Sequence, residues 1–362
     1  MWRLLMIALF SISLLGAAYV TCRFHKLSFV VKLAQSSRPL AWLVSLLPLA
    51  ISACFLLFNT TTFAVVMLHF VVIWALSDLI GQIIDKVFGL SFQIYWAGYA
   101  ALAFTVLWLG LGWFNAHHVS TTAYSFAADQ LDEPLRVALI ADSHLGVTLN
   151  GDSFTREMEK LQEKNPDLLV VAGDFVDDNS SREDMLAACR ALGNLKCPYG
   201  VYFAYGNHDR GYFNYRNFTG EELAEALREN GVTLLADESV LVDDRFYVIG
   251  RLDRSFRNRA SMDALLSGLD ADTFTIVIDH QPNSYAEEAA AGVGLVLSGH
   301  THGGHIFPLG EIGLLSGAND RRYGTETRGN THFVVTSGIS GWAVPFKTGC
   351  HSEVVLIDLI PQ

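Results

Sequence analysis

The sequence predicts a four-helix transmembrane domain in residues 1–116, a linker in 117–134 and an α/β domain in 135–362. The first observation is the uneven distribution of charge. Residues 1–116 hold only two acidic and six basic residues. The other 35 acidic and 19 basic residues leave the rest of the chain with a net charge of −16. The second observation is a set of long apolar stretches at the N-terminal end. The third is an alternation, further along, of short β-rich runs with amphipathic helices, which is typical of α/β folds.

Four apolar stretches are long enough to cross a bilayer at ~1.5 Å per helical residue. They are Leu4–Val20, Leu40–Phe58, Thr62–Ile84 and Ile94–Phe114. The first also has features of a cleaved secretory signal, since Arg3 precedes the apolar run and small residues end it near Ala18. The three later stretches favour a retained, multi-pass membrane domain.

Basic residues in the connections predict the orientation in the membrane. Four of them (Arg23, Lys26, Lys32, Arg38) lie between the first two stretches, and Lys86 lies between the last two. The positive-inside bias puts these connections in the cytoplasm and the C-terminal domain outside it, although Arg3 favours the opposite orientation. We therefore predict a cell-membrane protein whose C-terminal domain is extracytoplasmic.

Asp78 is an ionisable residue inside the third stretch. It could contact a lipid head group or a partner helix in the interior of the bundle. We prefer a position near the cytoplasmic interface, because Asp85 follows seven residues later on the same helix face.

Charge and cysteine spacing exclude some kinds of site. An acidic C-terminal domain repels long polyanions, so we expect no nucleic-acid partner. The five cysteines show no CxxC spacing, which argues against a zinc cluster. Cys189 and Cys197 could form a disulfide in an oxidising compartment, but the sequence does not decide this.

Five short apolar runs of the C-terminal domain each end in polar residues. The runs are Arg136–Ala141, Leu168–Ala172, Val201–Tyr205, Thr273–Ile278 and Val293–Leu297. The residues that follow them are, in order, Asp142-Ser143-His144, Gly173-Asp174, Gly206-Asn207-His208-Asp209, Asp279-His280 and Gly299-His300-Thr301-His302. Between the runs, Thr219 and Glu222 predict the start of a helix that ends at Gly231. Leu241–Ile249 resembles one arm of a hairpin.

Buried strands of α/β folds present side chains rigidly at their carboxyl ends, where binding crevices open. Each of the five motifs alone is weak, because a Gly-Asp pair often forms a turn and a lone histidine is often structural. Five strand ends with carboxylate, amide and imidazole side chains in one ordered series predict a metal site.

The order of these motifs resembles the calcineurin-like metallophosphoesterase superfamily. Ser298–Gly304 and the closing segment Gly338–Glu353 are similar to its bacterial membrane-anchored or exported branch. The resemblance implies an α/β sandwich of two packed mixed β-sheets flanked by helices. His305 and Lys347 depart from the pattern, where glutamine and arginine are expected.

The resemblance also implies two divalent metal ions. One would be bound by Asp142, His144, Asp174 and His302, and the other by Asp174, Asn207, His280 and His300. Imidazole and carboxylate ligands suit Mn, Fe or Zn, and the sequence does not choose among them. His208, next to a ligand but not itself one, is expected to be the general acid, with Asp209 orienting its ring. A purely structural His208 is the alternative.

The implied activity is metal-dependent hydrolysis of a phosphomonoester, phosphodiester or pyrophosphate, including a lipid-linked one, in which the metals activate the attacking water. The alternative is a non-catalytic membrane sensor or scaffold that keeps a metal-binding phosphoesterase-like domain. Asp177 and Asp178 are interpreted as a solvated loop. Four aromatic residues after His208 are interpreted as a surface flap, with an apolar substrate wall as the alternative; they are Tyr212, Phe213, Tyr215 and Phe218.

Overall fold

The computed structural model describes residues 2–89, 94–211 and 215–361, with side chains from residue 10 onward. The chain divides into two units, Met1–Leu111 and Gly112–Gln362. Cys189 and Cys197 are both free thiols. Tyr212 and Phe213 lie outside the described residues.

The described part of the first unit is helical. Its elements are α1 (Trp2–Phe24), α2 (Ser28–Ser36), α3 (Arg38–Ser45), α4 (Leu47–Cys54), a 3-10 turn (Phe55–Leu57), α5 (Thr60–Phe88) and α6 (Trp96–His117), which runs on into the second unit. Three described helical stretches are long and apolar enough to cross a membrane: Arg38–Leu57, Thr60–Phe88 and Trp96–His117. They correspond to the last three predicted spans. The first lies in α1, whose described side chains form only a shorter apolar helix, Phe10–Phe24.

Local sequence explains the breaks in these helices. Pro48, in the first turn of α4, has no backbone N–H to continue α3, so the second apolar stretch consists of several short helices. The Asn59 side chain caps α5 by accepting a hydrogen bond from the Thr62 N–H at 2.7 Å. Gly89 ends α5 in the left-handed conformation, with φ of 63°.

Asp78 is buried in the first unit, with 6% of its surface exposed. Its carboxylate accepts a hydrogen bond from the Tyr19 hydroxyl at 2.7 Å and lies 2.8 Å from Arg23 Nε. Asp85 is exposed. Asp78 thus contacts a neighbouring helix of the bundle, and its position relative to the cytoplasmic interface stays a prediction. An unpaired buried carboxylate costs several kcal/mol, and Arg23 supplies the compensating charge.

The described strands of the second unit form two mixed sheets, as the family resemblance implies, and each has six strands. The first sheet has the order β1 (Val119–Ala127), β12 (Ser352–Ile360), β2 (Leu135–Ile140), β3 (Leu168–Ala172), β4 (Val201–Ala204), β5 (Thr233–Leu235). The second has the order β10 (Gly324–Arg328), β11 (Thr331–Val335), β9 (Leu295–Ser298), β8 (Phe274–Ile278), β7 (Phe246–Gly250), β6 (Glu238–Val242). All five predicted runs are strands.

The sheets enclose one apolar core and are flanked by helices. Val170 of the first sheet and Ile276 of the second are both fully buried in the core between the sheets. The outer face of the first sheet packs against α7 (Gly151–Gln162), α8 (Arg182–Gly193) and α9 (Gly220–Glu229). The second packs against α10 (Met262–Leu266) and α11 (Tyr285–Ala290), and α12 (Glu311–Leu315) follows β9.

Two local predictions agree with the structure. Thr219 and Glu222 form the capping box that starts α9, and Gly231 just after it has φ of 75°. β6 and β7 pair antiparallel as the expected hairpin. Asp243 and Asp244 turn it with φ of 50° and 54°, a conformation that aspartate tolerates better than most residues.

The segment predicted as a linker, 117–134, contains β1. This strand pairs in parallel with β12 along its whole length, from Val119 opposite Ser352 to Ala127 opposite Ile360. Its side chains alternate between half-buried and exposed, as on an edge strand. Because one face is polar and solvated, the segment has the composition of a connection.

A buried glutamate links β1 to the sheet through side-chain hydrogen bonds. Glu353 of β12 accepts hydrogen bonds from the Thr122 hydroxyl on β1, from the Tyr323 hydroxyl at 3.0 Å and from the Ser337 N–H at 2.9 Å. Burial acts to raise the pKa of Glu353, but hydrogen bonds, including one from His351, outweigh it and lower the pKa to about 2.

Glu353→Gln should therefore destabilise the second unit at neutral pH by about 3 kcal/mol, the free-energy equivalent of that shift. Since the folded-state pKa is below the unfolded one, the stabilisation exists above the unfolded pKa and disappears as pH falls toward about 2. Thermal unfolding of both proteins as a function of pH measures this. Their Tm difference should narrow on acidification, and a constant difference would contradict the prediction.

Candidate metal centre

The carboxyl ends of strands from both sheets meet at one place. Asp142 follows β2, Asp174 follows β3 and Asn207 follows β4, all in the first sheet. His280 follows β8, and His300 follows β9, in the second sheet. Residues far apart in sequence thus come together at one edge of the sandwich.

Six of the seven predicted ligands fall into two compact groups. One consists of Asp142, His144 and His302, and the other of Asp174, His280 and His300. In each group the candidate ligand atoms lie within 4.8 Å of one another. One Asp174 oxygen lies 3.1 Å from His280 Nε2 in its own group and 3.6 Å from His144 Nε2 in the other.

The donor atoms fit divalent cations. Among the described residues, four candidate ligands each have a buried atom without a hydrogen-bond partner that could bind a cation: His144 Nε2, Asn207 Oδ1, His280 Nε2 and His302 Nδ1. A buried polar atom without a partner costs about 1–3 kcal/mol, and cations bound by these atoms would remove that cost. The mixture of imidazole, carboxylate and amide oxygen suits first-row transition metals.

The ligand-bearing turns have an unusual backbone. Five of the seven candidate ligands have a positive φ between 35° and 69°; they are Asp142, His144, Asp174, His300 and His302. A left-handed backbone costs a residue with a Cβ about 1–2 kcal/mol. Such strain persists only where the surrounding structure holds it, and it is concentrated at functional sites.

Two glycines let these turns approach one another. A Cβ on Gly206 would lie 2.2 Å from Asp174 Oδ1. A Cβ on Gly299 would lie 2.5 Å from Ala141 Cβ. Any side chain at these positions would displace the carboxylate-bearing turns.

Hydrogen bonds orient the candidate ligands. His280 Nδ1 lies 2.7 Å from the Ala172 carbonyl oxygen, which turns Nε2 toward Asp174. The other Asp174 oxygen accepts the His208 backbone N–H at 2.8 Å. Asp142 accepts the His300 N–H at 2.9 Å. Support of this kind commonly fixes the tautomer and direction of metal-binding side chains.

The structure corrects the role expected of Asp209. Its buried carboxylate accepts four backbone N–H groups, at 2.7–3.2 Å, from residues after β3 and β4: Asp174, Phe175, Val176 and Gly206. Asp209 ties two ligand turns together. The carboxylate that contacts the His208 imidazole belongs to another residue.

That residue is Asp177, and its assignment to a solvated loop is wrong. Asp177 is 7% exposed, and one of its oxygens lies 3.0 Å from His208 Nδ1. The other oxygen lies 3.3 Å from His144 Nδ1. One carboxylate thus links the expected acid to a candidate metal ligand.

This arrangement shifts the pKa values of the side chains at the site. Burial acts to raise the pKa of Asp177, but hydrogen bonds to His144 and His208 hold it well below its usual range. Burial acts to lower the pKa of His208, but the hydrogen bond to Asp177 raises it above that of a free histidine. Burial raises the pKa of Asp142 to about 6.

Trp342 is a second residue that the sequence reasoning missed. The centroid of its rings lies 5.8 Å from that of His208 and 6.4 Å from those of His144 and His302. It forms an aromatic wall beside the histidines. No sequence signal other than its place in the closing segment distinguishes it.

Three basic residues of the second unit have protein partners. Arg321 pairs with Glu326 at 3.4 Å, and Arg322 pairs with Glu311 at 2.6 Å. Lys347 is fully buried, and its Nζ donates to the carbonyl oxygens of Ser337 and Gly338 at 2.8 and 3.0 Å.

His305 and the aromatic residues after His208 are the last residues for which the sequence led to an expectation. Burial lowers the pKa of His305 to about 3, so this histidine is neutral. Of the described aromatic residues after His208, Phe218 is buried against the first sheet and Tyr215 is exposed.

Comparison with known proteins bears on the same part of the chain. Residues 135–304 match the family described as Calcineurin-like phosphoesterase, and they contain all seven candidate ligands. These residues form a metallophosphoesterase domain. Its buried histidine and aspartate groups are consistent with a dinuclear metal site.

Several known proteins resemble this chain over about two thirds of its length. An uncharacterized metallophosphoesterase of Helicobacter pylori is 30% identical over 65% of this chain and 62% of its own length. A transmembrane protein with metallophosphoesterase domain from Danio rerio is 30% identical over 62% of this chain and 53% of its own. The chain therefore spans less than two thirds of the length of either relative. The crystal structure of a dimetal phosphatase from Danio rerio matches with a TM-score of 0.35 and 14% identity, over 61% of this chain and 91% of that one.

Proposed function

We propose that this protein is a membrane-anchored, two-metal phosphoesterase that hydrolyses a phosphomonoester, a phosphodiester or a pyrophosphate. The main support for the proposal is the two adjacent groups of candidate ligands, one of which contains Asp174. The His208 imidazole and the Asp177 carboxylate lie beside them. A domain that only bound metal ions would not need a separate His208–Asp177 pair.

The residues divide into two metal sets. Asp142, His144 and His302 would hold one ion, and Asn207, His280 and His300 the other, with Asp174 shared between them. Bound divalent ions would neutralise the charge on phosphate oxygens and lower the pKa of the attacking water. Mn, Fe and Zn all suit these donors.

His208 is the proposed proton donor to the leaving group. Asp177 holds its Nδ1, so that Nε2 carries the proton that the leaving oxygen takes. The raised pKa keeps that proton on His208 to higher pH than in a free histidine. Trp342 stands beside the ring, with the two ring centroids 5.8 Å apart.

The proposed location is the cell membrane, with several spans and an extracytoplasmic phosphoesterase domain. Three long apolar helices and the distribution of basic residues support it. Protease treatment of sealed vesicles tests the orientation, because the domain should be protected in inside-out vesicles. Digestion there would place the domain in the cytoplasm.

A metal-reconstituted substrate screen tests the activity. The purified full chain is supplied with Mn, Fe or Zn and assayed on p-nitrophenyl phosphate, a chromogenic diester, nucleoside diphosphates and lipid phosphates. Asp174→Asn serves as the inactive control. Activity in the wild type alone is expected, whereas equal inertness of both proteins on every class would favour the non-catalytic sensor or scaffold.

A further inference from the structure

An exposed apolar segment follows the metal centre in the chain. Leu309, Ile312, Leu314 and Leu315 are 50%, 57%, 36% and 87% exposed. We call these four residues the apolar lip. Among the described residues of the second unit, half of the exposed large apolar side chains lie in 307–315. Such clustering on an otherwise acidic domain marks an interaction surface.

The lip is held firmly beside the site. Gly310 packs so closely on Gly304 that a Cβ on Gly310 would lie 2.2 Å from Gly304 Cα. Glu311 pairs with Arg322 at 2.6 Å, and the Arg322 carbonyl accepts the Thr301 hydroxyl at 2.5 Å. Thr301 lies between the candidate ligands His300 and His302. The lip therefore has a fixed position next to the ligand turn.

Contacts within the second unit also link the lip to the end of α6. The Phe307 N–H donates to Thr348 Oγ1 at 3.1 Å. The neighbouring Lys347 N–H donates to the Gly112 carbonyl at 2.8 Å, and the Asn115 side chain donates to the Lys347 carbonyl at 3.2 Å. Gly112 and Asn115 belong to the last turns of α6, which is apolar and long enough to span a membrane. A span that ends here brings the bilayer surface to this side of the domain.

Charge favours lipid as the occupant. The only charged side chain in 306–317 is Glu311, which Arg322 neutralises, so the lip has no net charge that a bilayer would repel. Apolar side chains gain free energy when they are buried at the boundary between lipid head groups and acyl chains, in proportion to the apolar area that enters it.

We propose that the apolar lip inserts into the bilayer surface and that the metal centre acts on phosphoesters or pyrophosphates whose acyl or prenyl chain stays in the membrane. This inference rests on the proposed function for its chemistry, but its membrane contact can be tested without activity. The lip holds the site at the depth of a lipid phosphate, so that the substrate need not leave the bilayer.

An activity comparison tests the substrate class. The full chain with Leu309→Ser, Ile312→Ser and Leu315→Ser is reconstituted into phosphatidylcholine vesicles that contain a diacylglycerol phosphate or a prenyl diphosphate. We expect at least a tenfold loss of turnover on these lipids, with hydrolysis of soluble p-nitrophenyl phosphate unchanged. The matched control is Leu241→Ser with Ile360→Ser, two exposed apolar residues outside the lip, which should change neither activity. Equal losses on lipid and soluble substrates, or no loss on lipid, would overturn the proposal.

A depth measurement tests membrane contact alone. Leu315→Cys is labelled with an environment-sensitive dye in the full chain, with the exposed Cys22 and Cys54 replaced by serine. Spin-labelled lipids should quench the dye at this position and leave a label at Leu241→Cys unquenched. No quenching at Leu315 would show that the lip stays in solvent, and equal quenching at both positions would show that the contact is not specific to the lip. Protection of the Leu315 label that depends on protein concentration would indicate a second copy of the chain. Each of these outcomes would overturn the proposal. Quenching without activity in any assay would retain the membrane contact and reject the proposed function.

Discussion

Asp174→Asn is expected to release most of the bound metal and to lower kcat/KM by about 10³-fold or more, since each catalytic metal supplies several kcal/mol of transition-state stabilisation. The Asp174 carboxylate lies close to both His280 and His144, one from each ligand group, and is the proposed shared ligand. Asparagine keeps an oxygen that can accept the His208 N–H, so the turn should survive while the shared negative charge is lost. Metal content by mass spectrometry and turnover on a chromogenic ester measure the two effects.

Asp244→Asn is the matched control for this change. Asp244 lies exposed in the β6–β7 turn with φ of 54°, a conformation that asparagine also adopts. It should leave metal content and activity unchanged. Full metal content and wild-type turnover in Asp174→Asn would remove Asp174 from the centre.

His208→Ala is expected to keep its metals and to lose about 10²–10⁴-fold in kcat/KM on alkyl phosphoesters, the usual contribution of a general acid. A p-nitrophenolate leaving group needs no proton, so hydrolysis of the p-nitrophenyl ester should fall far less. The comparison of the two esters is the measurement. Equal losses on both would show that His208 has a structural role, and unchanged alkyl hydrolysis would exclude it as the acid.

Asp177→Asn adds a pH signature to the same prediction. Because the acid acts in its protonated form, activity on alkyl esters falls as pH rises through the pKa of His208. Asp177 raises that pKa, so removal of its charge should move the alkaline limb of the pH profile to lower pH. Parallel metal analysis separates this effect from weakened support of His144. An unmoved limb in a fully metallated variant would show that Asp177 does not tune the acid.

Much of the candidate site could be predicted from the sequence, because buried strands have a clear signature. The runs before Asp142, Asp174 and Asn207 are continuous apolar segments, and a parallel sheet brings the residues after them to one edge. The α9 capping box and the β6–β7 turn depend on neighbours in sequence, which is why they were also predictable.

Contacts between distant residues were not predictable. Asp177 and Asp209 lie in similar polar surroundings in the sequence, and only the folded loops decide which one meets the His208 ring and which one meets backbone N–H groups. Arg23 ends α1 and Asp78 lies in α5, with α2, α3, α4 and the 3-10 turn between them in sequence, so their ion pair has no local signal. β1 was missed because an edge strand with a polar face has the composition of a linker.

The four hydrogen bonds to Asp209 have a consequence for assembly. They connect the turns after β3 and β4 through the protein itself, so the ligand turns take their shape during folding. A metal ion that binds here would meet a preorganised cage and would lose little affinity to the ordering of loops. We therefore expect folding and metallation to be separable steps.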